Sequence, residues 1–205
     1  MVYPILKISL FPALRKLVSE AKGLDNLPKK GNFIIIANHE SYLDPLIIIS
    51  YIVPIIDKKI HFLAIRDHAQ RDFWRLGDVI CRRWAGCIPL DISDKGRAAI
   101  NEALDCLKKG KIVGMFPEGE LLSKERKPRS GFLRLALESG APIIPISLKN
   151  TSDVLPPISL VPKSLKKKIR ITVGKPIKLK RSPKEVKNLG KKAESIMKKV
   201  HKMED

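Results

Sequence analysis

Apolar residues fall along this chain in short, nearly continuous runs, at 33–37, 61–65, 87–90, 112–116, 143–148 and 169–173. Several show no polar alternation, as strands buried on both faces of a parallel sheet should. Between them a 3.6-residue periodicity predicts helices at about 45–53, 95–109, 131–139 and 183–202. Gly110 and Gly140 stand where two of these helices should stop. The alternation predicts an α/β fold, a single domain with a largely parallel or mixed central sheet flanked by helices. Ahead of the first strand, Val2, Ile5, Leu6, Leu10, Phe11, Leu14 and Leu17 recur at helical spacing, with Lys7, Arg15 and Lys16 beside them. The chain therefore divides into a short amphipathic helix within 1–24 and a body over 25–205 that ends in a Lys-rich segment, 163–202. The N-terminal stripe fits two roles: an interfacial helix with its three cations toward lipid headgroups, or an ordinary helix packed on the sheet.

With 205 residues, 44% of them hydrophobic, the chain can bury a full core within one domain. Its N-terminal apolar stretch is broken by Lys7 and Arg15, well short of the roughly 20 apolar residues that a spanning helix needs. Residues 1–18 also lack the early basic cluster and small-residue cleavage site of a secretory signal, which predicts a retained, intracellular chain. Cys81, Cys87 and Cys106 form neither an even set nor a metal-ligand spacing, so no metal site is expected and a reducing compartment is.

Charge narrows the partners. The formal net charge is +19, and residues 163–202 hold 16 basic residues against two acidic ones, a net +14. A polyanion is the expected neighbour: nucleic acid, an acidic carrier protein, or anionic lipid headgroups. Aromatic residues make up 5% of the chain and none interleave with the basic run, which removes the stacking platforms of a single-strand binder. Duplex binding through charge alone stays open at this point.

The segment Asn38-His39-Glu40-Ser41-Tyr42-Leu43-Asp44 directly follows the first buried run, where open α/β sheets place ligands. On one straight helix His39 and Asp44 would point about 140° apart, so they must meet across a turn. Pro45 supports that turn, because it disfavours helical geometry before it and suits the first turn of a helix after it. Spacing leaves His39 open to two readings, a structural histidine at a strand end or a catalytic base. Asp44, followed by Pro45 and an apolar helix, also reads as an N-cap.

This segment resembles the His-x4-Asp motif of the glycerolipid acyltransferase family. The likeness continues in the family's order through His61-Phe62-Leu63-Ala64-Ile65-Arg66, Gly86-Cys87-Ile88-Pro89-Leu90-Asp91, Phe116-Pro117-Glu118-Gly119 and Ala141-Pro142-Ile143-Ile144-Pro145-Ile146. It implies an O-acyltransferase in which His39 takes the proton from an acceptor hydroxyl and Asp44 orients the imidazole. The donor would be acyl-acyl-carrier protein or acyl-coenzyme A, used as a co-substrate with no further cofactor. The nearest activity within the family is acylation of lysophosphatidic acid to phosphatidic acid, at the cytoplasmic face of a membrane with anionic lipids, as a peripheral protein, with no nucleic acid expected. By the same resemblance Glu118 and Gly119 belong to the acceptor site and Pro145 to the acyl-binding region. From its residue type alone, Pro145 equally marks a sheet edge or bulge.

Two of the motifs depart from the family. After Glu-Gly it usually has Thr and Arg, where this chain has Glu120 and Leu121; after the second motif's Asp it usually has Arg, where this chain has Ile92. Those arginines are associated with the acceptor's phosphate. Arg66 and Arg129 are the chosen replacements. Two alternatives follow: the same chemistry on another lysolipid or hydroxylated lipid, or a non-catalytic relative that binds anionic lipid or nucleic acid.

Overall fold

The continuous apolar runs become the inner strands of one sheet. The computed structural model describes residues 3–65, 86–91, 94, 96–119, 121, 127–157, 161–166, 168–180 and 188–203. In chain order the elements are α1 (Pro4–Ile8), α2 (Leu10–Lys16), β1 (Val18–Lys22), β2 (Ile34–Ala37), α3 (Asp44–Ile56), β3 (Ile60–Ile65), β4 (Ile88–Leu90), α4 (Arg97–Lys108), β5 (Ile112–Met115), α5 (Gly131–Ser139), β6 (Ile143–Lys149), α6 (Thr151–Val154), β7 (Ile169–Val173) and α7 (Leu189–Lys202). Among the described residues the sheet has seven strands in the order β1-β7-β6-β2-β5-β3-β4. Every neighbouring pair is parallel except β6 with β7. β2 lies at its centre, with all four residues fully buried, which is why its sequence shows no polar alternation.

Side chains alternate across the sheet and build a core on each face. Ile35, Ala37, Ile144, Ile146 and Leu148 face α1, α2 and α3. Ile34, Ile36, Val113, Met115 and Ile143 face α4, α5 and α7. The Lys-rich segment is thus no appended tail, since β7 joins the sheet and α7 buries Ala193, Ile196, Met197 and Val200 on the second face. Lys191, Lys198, Lys199 and Lys202 are outward positions of this amphipathic helix.

The N-terminus is helical as the sequence predicts, but in two pieces. A single helix is replaced by α1 and α2 with a break at Ser9, and Phe11 and Leu14 enter the core while Ile5 and Ile8 stay 73% and 81% exposed. Nor are the expected headgroup cations all free. Lys7 Nζ is ion-paired with Asp57 at 2.6 Å. Arg15 donates through Nε to the Ser50 carbonyl at 2.9 Å, and again through its Nη2. The cause lies in α3, which runs past residue 53 through Pro54. Proline has no N–H to return to the carbonyl four residues earlier, so Ser50 needs another donor, and Arg15 supplies it. β1 was not legible as a strand; it is an edge strand with one buried residue, Val18. No helix among the described residues is long and apolar enough to cross a membrane.

Candidate active site

β2 delivers His39 at its carboxyl end. The strand's ladder with β6 ends at Ala37 opposite Ile146, and Asn38 extends it with its side chain. Its Nδ2 donates to the Leu148 carbonyl at 2.7 Å, and its Oδ1 accepts from the Leu148 N–H at 2.8 Å. Ser41 anchors the following turn by donating to the Leu155 carbonyl at 2.7 Å and accepting from the Leu43 N–H at 3.1 Å. Sequence reading assigned Asn38 and Ser41 no role, and the partners that anchor them, Leu148 and Leu155, lie more than a hundred residues away.

The turn brings the predicted pair together. Asp44 Oδ2 lies 2.7 Å from His39 Nδ1 and accepts the backbone N–H groups of Glu40 at 2.7 Å and Ser41 at 2.8 Å. An oxygen that already accepts two amide N–H bonds is an acceptor toward the ring as well, so Nδ1 carries the proton and donates. Nε2 is left with its lone pair. The Asp44 side chain is fully buried and the His39 side chain is 15% exposed. Asp44 Oδ1 has no hydrogen-bond partner among the described residues. The carboxylate sits in the first turn of α3, where the helix dipole favours negative charge.

This geometry corrects the N-cap reading of Asp44. The residue before the helix is Leu43, which makes no side-chain cap, and Asp44 is the first helical residue. Its carboxylate turns back to the loop because the Glu40 and Ser41 amides and the imidazole converge there.

An aromatic stack sets the plane of the ring. Phe116 lies against His39 with centroids 4.0 Å apart and planes 16° from parallel, and Phe62 lies 5.6 Å behind Phe116. Phe62 pairs with Gly114 across β3 and β5. A Cβ added at Gly114 would fall 2.6 Å from the Phe62 ring, so this glycine is where the stack is seated.

β5 lies beside β2, so its carboxyl end reaches the same edge of the sheet. There Phe116-Pro117-Glu118-Gly119 forms a turn closed by the Gly119 N–H to the Phe116 carbonyl at 3.1 Å. Pro second and Gly fourth are the residues such a turn favours, and Gly119 has φ +84°, which only glycine adopts at little cost. Glu118 is buried. Its Oε1 lies 2.5 Å from His201 Nε2 on α7, and its Oε2 has no partner among the described residues. Sequence reading placed His201 in the basic segment and gave it no role.

The remaining predicted site residues are dispersed. Pro145 is buried within β6, an interior strand rather than an edge. It does mark an irregularity. Ile143 faces Ile177 and Ile146 faces Val173, so two residues of β6 oppose three of the neighbouring segment. Arg129 is exposed; its backbone N–H donates to the Pro117 carbonyl at 2.8 Å, while its guanidinium has no ion-pair partner among the described residues. Leu121, where the family usually has Arg, is buried. Arg66 and Ile92 lie outside the described residues. Cys87 and Cys106 form no disulfide among the described residues, and no group of three or more His, Cys, Asp or Glu side chains gathers there as a metal site.

The chain is similar to several known proteins. It is 30% identical over 156 residues to a 1-acyl-sn-glycerol-3-phosphate acyltransferase of Borreliella burgdorferi, covering 75% of this chain and 59% of that one. It is 28% identical over 129 residues to the Bacillus subtilis protein of the same name, covering 63% and 61%. The chain thus spans about 60% of the length of these relatives. Its fold matches the crystal structure of the 1-acyl-sn-glycerophosphate (LPA) acyltransferase PlsC from Thermotoga maritima with a TM-score of 0.68 over 98% of this chain and 77% of that one, at 23% identity. The sequence profile described as Acyltransferase matches residues 19–149, which hold β2, the His39–Asp44 turn and the Glu118 turn. The chain belongs to the acyltransferase family.

Proposed function

We propose that this protein transfers a fatty acyl group from an acyl thioester, acyl-acyl-carrier protein or acyl-coenzyme A, to the free hydroxyl of lysophosphatidic acid, giving phosphatidic acid. The observation that carries the proposal is the 2.7 Å His39–Asp44 bond, with Asp44 Oδ2 held by two further amides. It leaves Nε2 as a base whose tautomer and orientation are fixed before substrate arrives. In the reaction Nε2 takes the hydroxyl proton as the oxygen attacks the thioester carbonyl. The carbon–sulfur bond then breaks, and the imidazolium returns the proton to the departing thiolate. Asp44 stabilises the imidazolium between the two steps. Glu118 and Gly119 are proposed to hold the acceptor and Pro145 to line the acyl chain. Binding is proposed to occur at the cytoplasmic face of a membrane, as a peripheral protein on anionic lipid.

A second reading keeps the chemistry and changes the acceptor to another lysolipid. Leu121 supports it, because a buried leucine stands where the family usually carries a phosphate-associated arginine. The test is to incubate the purified protein with both donors and a panel of phosphate-bearing and neutral lysolipids and to identify products by mass. Phosphatidic acid formed from lysophosphatidic acid, and lost in His39→Ala, supports the first reading. Acylation confined to neutral acceptors replaces it with the second.

A further inference from the structure

We infer that His201, on the last turn of α7, is a positioning residue for the acceptor site: it fixes the carboxylate of Glu118. The inference rests on the proposed role of Glu118 in holding the acceptor. Glu118 follows β5 at the carboxyl edge of the sheet, on the turn next to the one that carries His39. Its side chain is 5% exposed, and a buried carboxylate without a partner is strongly disfavoured. Among the described residues the partner of its Oε1 is the N–H of His201 Nε2, 2.5 Å away and 83 residues later in the chain. Oε2 stays buried with no partner among the described residues, and a Cβ at the neighbouring Gly119 would meet none of the described residues within 4 Å. One oxygen is thus spent on orientation and the other is kept to accept a hydrogen bond, the arrangement that suits a hydroxyl of the acceptor's polar head.

The reach of His201 is set by packing. Ala193, Ile196, Met197 and Val200 bury the inner face of α7. Just past its end, Met203 packs over Gly174 beside Pro145; a Cβ at Gly174 would lie 2.9 Å from Pro145 Cγ and 3.1 Å from Met203 Sδ. The helix end is therefore seated against β6 and β7, and His201 projects from a fixed base. The ring N–H donates to an ionised acceptor, which makes this a charge-assisted hydrogen bond. The His201 side chain is 38% exposed, so the ring contributes little to the core.

Steady-state kinetics of His201→Leu and His201→Gln test the inference, because glutamine places an amide N–H where Nε2 stands. In His201→Leu, kcat/KM for the acceptor is expected to fall about tenfold, the consequence of leaving a buried charged group without its partner, while KM for the donor changes less than about twofold. His201→Gln is expected to recover most of the loss. An unchanged acceptor efficiency in His201→Leu, an equal loss toward both substrates, or no recovery in His201→Gln overturns the role. A second measurement needs neither activity nor the leucine variant. The ring nitrogen shifts of His201, read by nitrogen-15 NMR in the wild type and in Glu118→Gln, should differ if the pair forms in solution; identical shifts overturn it. A wild type that acylates no lysolipid but shows the shift difference sinks the proposed function and leaves the pair standing.

Discussion

Oδ2 of Asp44 accepts three hydrogen bonds, and two substitutions separate what those bonds do. Asp44→Asn keeps an oxygen for the Glu40 and Ser41 amides but removes the charge that stabilises the imidazolium. It should stay within about 1 kcal/mol of wild type and lose activity by roughly 10²–10⁴-fold. Asp44→Ala leaves two buried N–H groups without an acceptor, at about 1–3 kcal/mol each, so urea unfolding should show a clear further loss of stability. Equal midpoints for the two variants would remove the loop-bracing role. His39→Ala should lose activity on the same scale with its far-ultraviolet spectrum unchanged, since the ring rests on Phe116 at the edge of the core. Comparable activity in that folded variant sinks the mechanism. A different histidine should contribute to the pH dependence of stability. Burial is the main cause that lowers the pKa of His61 from 6.5, against the hydrogen bond its Nδ1–H gives to the Gly86 carbonyl, with Lys111 and Lys59 also lowering it and Glu102 raising it. The unfolded chain then binds a proton that the folded chain resists. Stability should be full above about pH 6.5 and fall as the pH drops below it, and His61→Gln should flatten that part of the profile. Thermal melts from pH 8 to pH 5 check this, and parallel profiles for the two proteins would exclude His61 as the cause.

At the scale of elements, the strands were legible where burial on both faces leaves no room for polar residues. The run 169–173 was placed to the residue and five others to within one at either end, because runs such as Ile34–Ile35–Ile36 carry the signal by themselves. What escaped was what depends on partners distant in sequence. β1, with one buried residue, becomes a strand because β7 offers it an edge. The continuation of α3 through Pro54 was hidden because the donor that rescues Ser50 is Arg15, thirty-five residues earlier. Arg15→Ala should therefore destabilise the fold by about 1–3 kcal/mol, as expected for a carbonyl left without its donor, and Arg15→Lys should restore only part of it. A loss under about 0.5 kcal/mol in denaturant titrations would return Arg15 to the surface. The site divides in the same way. His39, Asp44, Glu118 and Gly119 stood in recognisable local motifs, whereas the Phe62–Phe116 stack, the Asn38 clamp and His201 are products of the sheet. Gly114→Ala probes the stack, because a Cβ 2.6 Å from the Phe62 ring forces the aromatic pair to move. Overpacking of this kind costs about 1–3 kcal/mol. Activity should fall along with stability as Phe116 shifts beneath His39, and a fully active variant would show that the ring needs no such seat.

For the whole molecule, the N-terminal helices and the α7 part of the basic segment lie on opposite faces of the sheet. α1 and α2 cover the face that holds Ile35 and Ala37, and the lysines of α7 belong to the other. A helix layer is about 10 Å thick, so a bilayer touching α1 lies well over 10 Å from α7, and charges are largely screened beyond about 10 Å at 0.1 M salt. One flat surface cannot engage both at full strength. The exposed Ile5, Ile8 and Leu10 favour the α1–α2 face, where Lys16 remains outward while Lys7 and Arg15 are held within the fold. We therefore expect sedimentation with anionic vesicles to drop more than about tenfold in an Ile5→Ser, Ile8→Ser double variant, since burying one isoleucine is worth about 1.5–3 kcal/mol. Replacing Lys191, Lys198 and Lys199 by glutamine should change it by less than about threefold, although each cation held at an anionic surface would be worth about 1 kcal/mol. Binding in the wild type should weaken with added salt yet not vanish, because the apolar contribution is not screened. The opposite ranking of the two variants would turn the molecule over, with α7 against the lipid and α1 free for another partner.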